Sequence, residues 1–223
     1  MVHKIVTYLS YPKMFRSRNG EGRKRKQEAG QVHRMETDVT ALEKRLWDRL
    51  GKTPEVAAAL ALARRVHEGQ LRDEGTPYIE HPLRVALILI EEAGVTDPEM
   101  VEAALLHDTV EDGPARTAKE IESTLGTRVA RLVECLSDEF RRSGLSRDRR
   151  KALYLKRIAG APDDCLLLKL CDRIDNLRSL GRVTNIVKKE RMKMETRAYL
   201  LPAAAGRPAV FQRLAGLIEE ALS

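Results

Sequence analysis

Residues 107 to 112 read His-Asp-Thr-Val-Glu-Asp and close an otherwise apolar stretch, Met100-Val-Glu-Ala-Ala-Leu-Leu. If that stretch is a helix, one imidazole and three carboxylates fall within about one helical turn. Left unpaired in a core, such groups cost on the order of several kcal/mol each, so they must be spread into water or gathered round a cation. A lone His-Asp pair is more often a solvated helix end. The rest of the chain supplies further ligands on either side and reverses that balance.

With 223 residues, 43% of them hydrophobic, the chain can bury one substantial core. Prolines and glycines fall mostly between apolar periodic segments and strict apolar-polar alternation is nearly absent, so the expected fold class is all-α. The longest apolar run, Val85 to Ile90, is far too short to span a bilayer. Cys135, Cys165 and Cys171 show no CxxC spacing and sit beside aliphatic residues, so they read as reduced core cysteines of a cytoplasmic protein. Residues 1–38 carry a net +5 of the total +7, leaving +2 for the rest. The expected organisation is therefore a basic, disordered tail over 1–38 and one domain over 39–223.

Helix signals are dense from Thr40 onward. Thr40–Glu43 has capping-box spacing, with Leu42, Leu46 and Leu50 as a stripe and Gly51 as a stop. Thr53-Pro54 opens the next helix, which ends at His67, a residue read as a core histidine and left out of the site. His81-Pro82 starts a helix running to Ala93, and Thr96–Glu99 is read as a capping box for the helix that carries His107 and Asp108. Thr117 to Leu125, a stripe at Val129, Leu132, Val133 and Leu136, and Lys151 to Ala159 follow as further helices.

The second acidic element is Leu166-Leu-Leu-Lys-Leu-Cys-Asp-Arg-Ile-Asp-Asn-Leu-Arg. Its aliphatic start implies a helix buried nearly all round, so Asp172 is a carboxylate where a leucine is expected. Asp172 and Asn176 share a face at i, i+4, while Asp175 is expected to point toward Arg178 or solvent. A buried aspartate needs a cation. A divalent ion shared by His81, His107, Asp108 and Asp172 satisfies four groups at once, and two imidazoles with two carboxylates suit Mn, Fe, Co or Zn.

His81, His107-Asp108 and Asp172, with spacings of 26 and 65, resemble the ligand pattern of HD-domain phosphohydrolases. The segments HEGQLRDEGTPYIEHPLRVA, ALLHDTVEDG, LLLKLCDRIDNLRSL and METRAYLLPAA more narrowly resemble the hydrolase domain of RelA/SpoT proteins and the stand-alone small alarmone hydrolases, over roughly residues 40 to 205. The resemblance implies an HD-domain helical bundle and a (p)ppGpp 3′-pyrophosphohydrolase acting on a guanine nucleotide. It further implies Mn2+ held by His81, His107, Asp108 and Asp172, with Glu111 and Asp112 orienting or deprotonating water. Arg72 would pack on the base and Asn176 would contact the nucleotide. No synthetase region is matched, and neither a membrane nor a nucleic acid is expected as a partner; the oligomeric state is left open.

Three positions depart from that pattern. Asp73-Glu74 stand where the family usually has Lys-Ser, Asp175 replaces the histidine of the usual DRLHN, and Gly113 replaces a threonine. None is an expected metal ligand, but positive charge is lost beside the expected nucleotide. One alternative is therefore another nucleotide, such as the 2′-phosphate of NADPH; a second, for which the basic tail speaks, is an inert HD fold that senses nucleotides or binds nucleic acid.

Overall fold

Side-chain capping sets the starts of α-helices at Thr53, Asp97 and Asn185. The computed structural model describes residues 38–114 and 117–223; the tail expected over residues 1–38 lies outside them apart from Asp38. The first helix, α1, occupies 38–50 and stops at Gly51, whose φ of 76° is left-handed and whose amide bonds to Trp47 O at 2.9 Å. Because residue 38 is already helical, Thr40 lies inside α1 and does not open it. In α2 (Pro54–Val66) the Thr53 hydroxyl accepts from Val56 N, with Pro54 at the first helical position.

Helix α3 (Glu80–Glu91) begins one residue before His81, and α4 (Pro98–Leu106) is capped by Asp97, whose side chain accepts from Glu99 N at 3.0 Å. Asp97, not the expected Thr96, is thus the cap. A larger correction lies at the end of α4: the helix stops at Leu106, and a separate turn, α5 (Thr109–Asp112), starts after Asp108. His107 and Asp108 form a kink between helices. There the Thr109 hydroxyl donates to Leu106 O at 2.6 Å, which is a side-chain competitor for a backbone carbonyl.

The remaining helices are α6 (Thr117–Leu125), α7 (Thr127–Leu136), α8 (Arg147–Ala159), α9 (Asp163–Arg178), α10 (Ile186–Glu195), α11 (Leu201–Ala204) and α12 (Ala209–Leu222). Helix α8 starts four residues before the expected Lys151, at Arg147, directly after the extended Ser146 at its N-cap. Among the described residues the only β pairing is an isolated bridge between Leu71 and Pro77, so the fold is all-α. Helix α4 packs on α2, α3 and α7, while α9 is clasped by α3 and α12. The stripe Val129, Leu132, Val133 and Leu136 is buried as read, and α9 is buried nearly all round through Leu166, Leu168, Leu170, Cys171 and Ile174.

Cys135 and Cys165 form a disulfide, Cα to Cα 6.3 Å, which corrects the expectation of three reduced cysteines. They are 30 residues apart, and the packing of α7 on α9 brings them together. Cys171 is free and buried, and burial pushes its thiol pKa up. No helix among the described residues is long and apolar enough to cross a membrane.

Candidate metal centre

The kink after α4 and the middle of α9 face the first turn of α3, and this is where the charged residues meet. His81 Nε2 and His107 Nε2 lie 3.1 Å apart. Asp108 Oδ2 is 3.0 Å from His107 Nε2 and 3.6 Å from His81 Nε2. Asp172 Oδ1 is 3.2 Å from His81 Nε2 and 3.7 Å from His107 Nε2. Ligand atoms of His81, His107 and Asp108 all fall within 4.8 Å of one another, with both histidines buried.

Hydrogen bonds on the far side of each ring fix what the near side can do. His81 Nδ1 is 2.6 Å from Asp175 Oδ2, and His107 Nδ1 is 2.9 Å from Ala104 O. Each Nδ1 faces an acceptor and so carries the hydrogen, which leaves both Nε2 atoms as lone pairs pointing at each other. Two acceptors at 3.1 Å, flanked by two carboxylates, repel unless a positive charge sits between them. Burial works against a charged imidazole, yet Asp108 and Asp172 outweigh it and push the His107 pKa up to about 9. Burial alone would raise both aspartates, but His107 holds Asp108, and Lys169 holds Asp172, below the usual carboxylate range. The donor set fits a borderline divalent cation.

Other side chains tie the ligands down. Tyr78 Oη donates to Asp108 Oδ2 at 2.6 Å and stacks on His67, ring centroids 4.5 Å apart. His67 itself stays outside the cluster, as read. Lys169 Nζ donates to Asp172 Oδ2 at 2.7 Å and Asn176 Nδ2 donates to Asp172 Oδ1 at 2.5 Å. Arg173 turns away, toward Met192 O and Glu195. Lys169 was missed by the sequence reading, although it precedes Asp172 by three residues on one helix. Lys151 and Lys169 both stand over the Tyr154 ring, 4.6 and 5.2 Å from its centroid. Burial, helped by Lys169, lowers the Lys151 pKa.

The expected water-activating acids sit on α5 beside this cluster. Glu111 Oε1 accepts from the Asp138 amide at 2.7 Å, and Oε2 lies 3.4 Å from Arg141 Nη1. Burial raises the Glu111 pKa. Asp112 faces the same Arg141 at 3.3 Å. On the opposite flank Arg72 is largely buried, with Nε donating to Glu74 Oε1 at 3.0 Å and Nη2 to Asn176 Oδ1 at 3.1 Å. Asp73 pairs with Lys188. Arg72, Tyr78, Asn176, Val183, Lys188 and Met192 line a cleft of about 190 Å³. Asp175 corrects its expected orientation: it is buried and bonded to His81 and Arg84, because α9 turns that face toward α3.

The model of the HD domain matches residues 59–204 of this sequence. The chain belongs to the HD-domain family. It is 43% identical over 132 residues to human guanosine-3′,5′-bis(diphosphate) 3′-pyrophosphohydrolase MESH1, an alignment that takes in 58% of this chain and 72% of that one. The bifunctional (p)ppGpp synthase/hydrolase SpoT of Escherichia coli K12 is 40% identical over 153 residues, 66% of this chain and 21% of SpoT. Among solved structures, one described as a metazoan ortholog of SpoT that hydrolyzes ppGpp aligns with a TM-score of 0.66 at 28% identity, over 76% of this chain and 96% of that one.

Proposed function

We propose that this HD-domain chain is a Mn2+-dependent (p)ppGpp 3′-pyrophosphohydrolase, taking ppGpp or pppGpp and water to GDP or GTP and pyrophosphate. The observation that carries the metal reading is the approach of His81 Nε2 and His107 Nε2 to 3.1 Å, with Asp108 Oδ2 and Asp172 Oδ1 each within 3.7 Å of both and each Nδ1 facing an acceptor. The alarmone reading is supported by similarity to the human and bacterial enzymes named above. His81, His107, Asp108 and Asp172 hold the ion. When bound, the ion supplies acidified water and polarises a phosphoryl oxygen.

The protein's own groups do the rest. Glu111, its pKa raised by burial, accepts the proton of the attacking water, while Arg141 keeps it and Asp112 on the same side of the cluster. Lys169 donates to Asp172 Oδ2 and so holds that carboxylate in the ligand set. Glu74 and Asn176 occupy hydrogen-bonding edges of the Arg72 guanidinium, and its planar face would stack on a purine taken into the cleft. A cytoplasmic location agrees with a nucleotide substrate, and there the Cys135–Cys165 bond faces reducing thiols.

A second reading rests on a specific observation: Glu74 and Asp73 neutralise Arg72 and Lys188 at the mouth, which suits a less charged nucleotide such as NADPH, cleaved at its 2′-phosphate. Incubating purified protein with Mn2+ and ppGpp, pppGpp, NADPH or ordinary nucleotides separates the two. Pyrophosphate with GDP or GTP is the expected product, and inorganic phosphate from NADPH alone would establish the second.

A further inference from the structure

Asp175 stands where the related motif carries histidine, and its two oxygens reach three functional side chains. Oδ2 accepts from His81 Nδ1 at 2.6 Å and lies 3.6 Å from Arg72 Nη1; Oδ1 accepts from Arg84 Nε at 2.6 Å. Arg84 in turn donates to Glu80 Oε2 at 2.8 Å, so the carboxylate is locked from behind by a residue of α3. Asp175 is 3% exposed. A buried carboxylate one turn from Asp172 is tolerated because Arg84 balances its charge, and the partner that gives it a purpose is His81.

We propose that Asp175 is a positioning residue that joins the two halves of the site: it holds His81 with hydrogen on Nδ1 and Nε2 free to ligate, and it draws the Arg72 guanidinium to the mouth of the cleft. The device suits a metal ligand, since a carboxylate behind an imidazole fixes its tautomer and raises its basicity. Arg84 is the counter-ion that lets an acid occupy this position. The alternative is an ion pair between Asp175 and Arg84 that serves folding only. The two differ in what each partner's loss does, because Asp175 touches His81 and Arg84 does not.

The inference rests on the metal reading above, so the test begins with Mn2+ titrated calorimetrically into the wild-type protein without nucleotide. Asp175→Asn should weaken Mn2+ binding by about 10- to 100-fold, as loss of such a partner does elsewhere. At saturating Mn2+ it should also raise KM for ppGpp more than it lowers kcat. Arg84→Gln should stay within about threefold of wild type in Mn2+ affinity, whatever it does to the melting temperature. Unchanged affinity in Asp175→Asn, or equal losses in the two variants, overturns the positioning role while leaving the metal site standing; no Mn2+ binding by the wild type overturns both. Should Asp175→Asn fail to fold, 15N shifts of the wild-type histidines decide instead. An Nδ1-protonated His81 is expected, and an Nε2-protonated one contradicts the proposal.

Discussion

At the proposed metal pole His81, His107, Asp108 and Asp172 converge and are each anchored from behind, by Asp175, Ala104 O, Tyr78 and Lys169. At the nucleotide pole Arg72 and Lys188 are paired with Glu74 and Asp73, so the charges are already spent. On the function proposed above, the first region takes up a cation among groups already gathered, whereas at the second the internal ion pairs compete with a polyanion for Arg72 and Lys188. Ion binding should therefore tolerate little change in its residues, whereas nucleotide affinity should be adjustable by single substitutions.

Asp108→Ala and Asp172→Ala test the first half most severely. Each removes a ligand and should abolish both Mn2+ uptake and turnover; either one retaining measurable ion binding would show that the cluster is not one site. Glu111→Gln comes next. It should leave the ion in place and slow turnover by roughly a hundredfold, as loss of a general base commonly does. Mn2+ loss equal to that of Asp108→Ala would move Glu111 into the ligand set.

At the nucleotide pole the effects are smaller and run in both directions. Arg72→Lys keeps the charge and loses the plane, which is worth on the order of 1 kcal/mol, so KM for ppGpp should rise several-fold. Replacing Asp73-Glu74 by Lys-Ser frees two cations and should lower that KM at low salt, the gain shrinking as salt is added. A KM that rises instead would mean that Glu74 orients Arg72 more than it neutralises it.

Glu102 sharpens the comparison from outside the site. It is a buried carboxylate like Asp172, yet it makes no hydrogen bond or ion pair among the described residues, and burial pushes its pKa up to about 7. The folded state therefore holds a proton that the unfolded chain releases near pH 4.5, so stability falls as pH rises from about 4.5 to about 7 and is flat above. Glu102→Gln should remove that slope and stabilise the protein by about 1 kcal/mol at pH 8, or a few degrees in Tm. An unchanged slope in thermal melts would assign the titration to another group.

What the sequence revealed follows the range of the forces involved. Thr53, Pro54, Gly51 and the stripe of α7 act on their own turns, and they were readable. The convergence of His81, His107, Asp108 and Asp172 was readable too, because two imidazoles and two carboxylates in apolar surroundings leave few other solutions. The break at His107-Asp108 was not, since it depends on a threonine hydroxyl capturing Leu106 O. Asp175 was assigned to the wrong face because 3.6-residue periodicity does not say which neighbour a fully buried helix turns toward. Tyr78 and the Cys135–Cys165 bond depend on partners 30 residues away along the chain, which only packing brings near.

The claim that the metal pole is built before substrate arrives is tested most directly by Mn2+ electron paramagnetic resonance on the purified chain without nucleotide. One tightly held ion per chain is expected in the wild type and none in Asp172→Ala. Uptake that requires nucleotide, or that survives in Asp172→Ala, would contradict it.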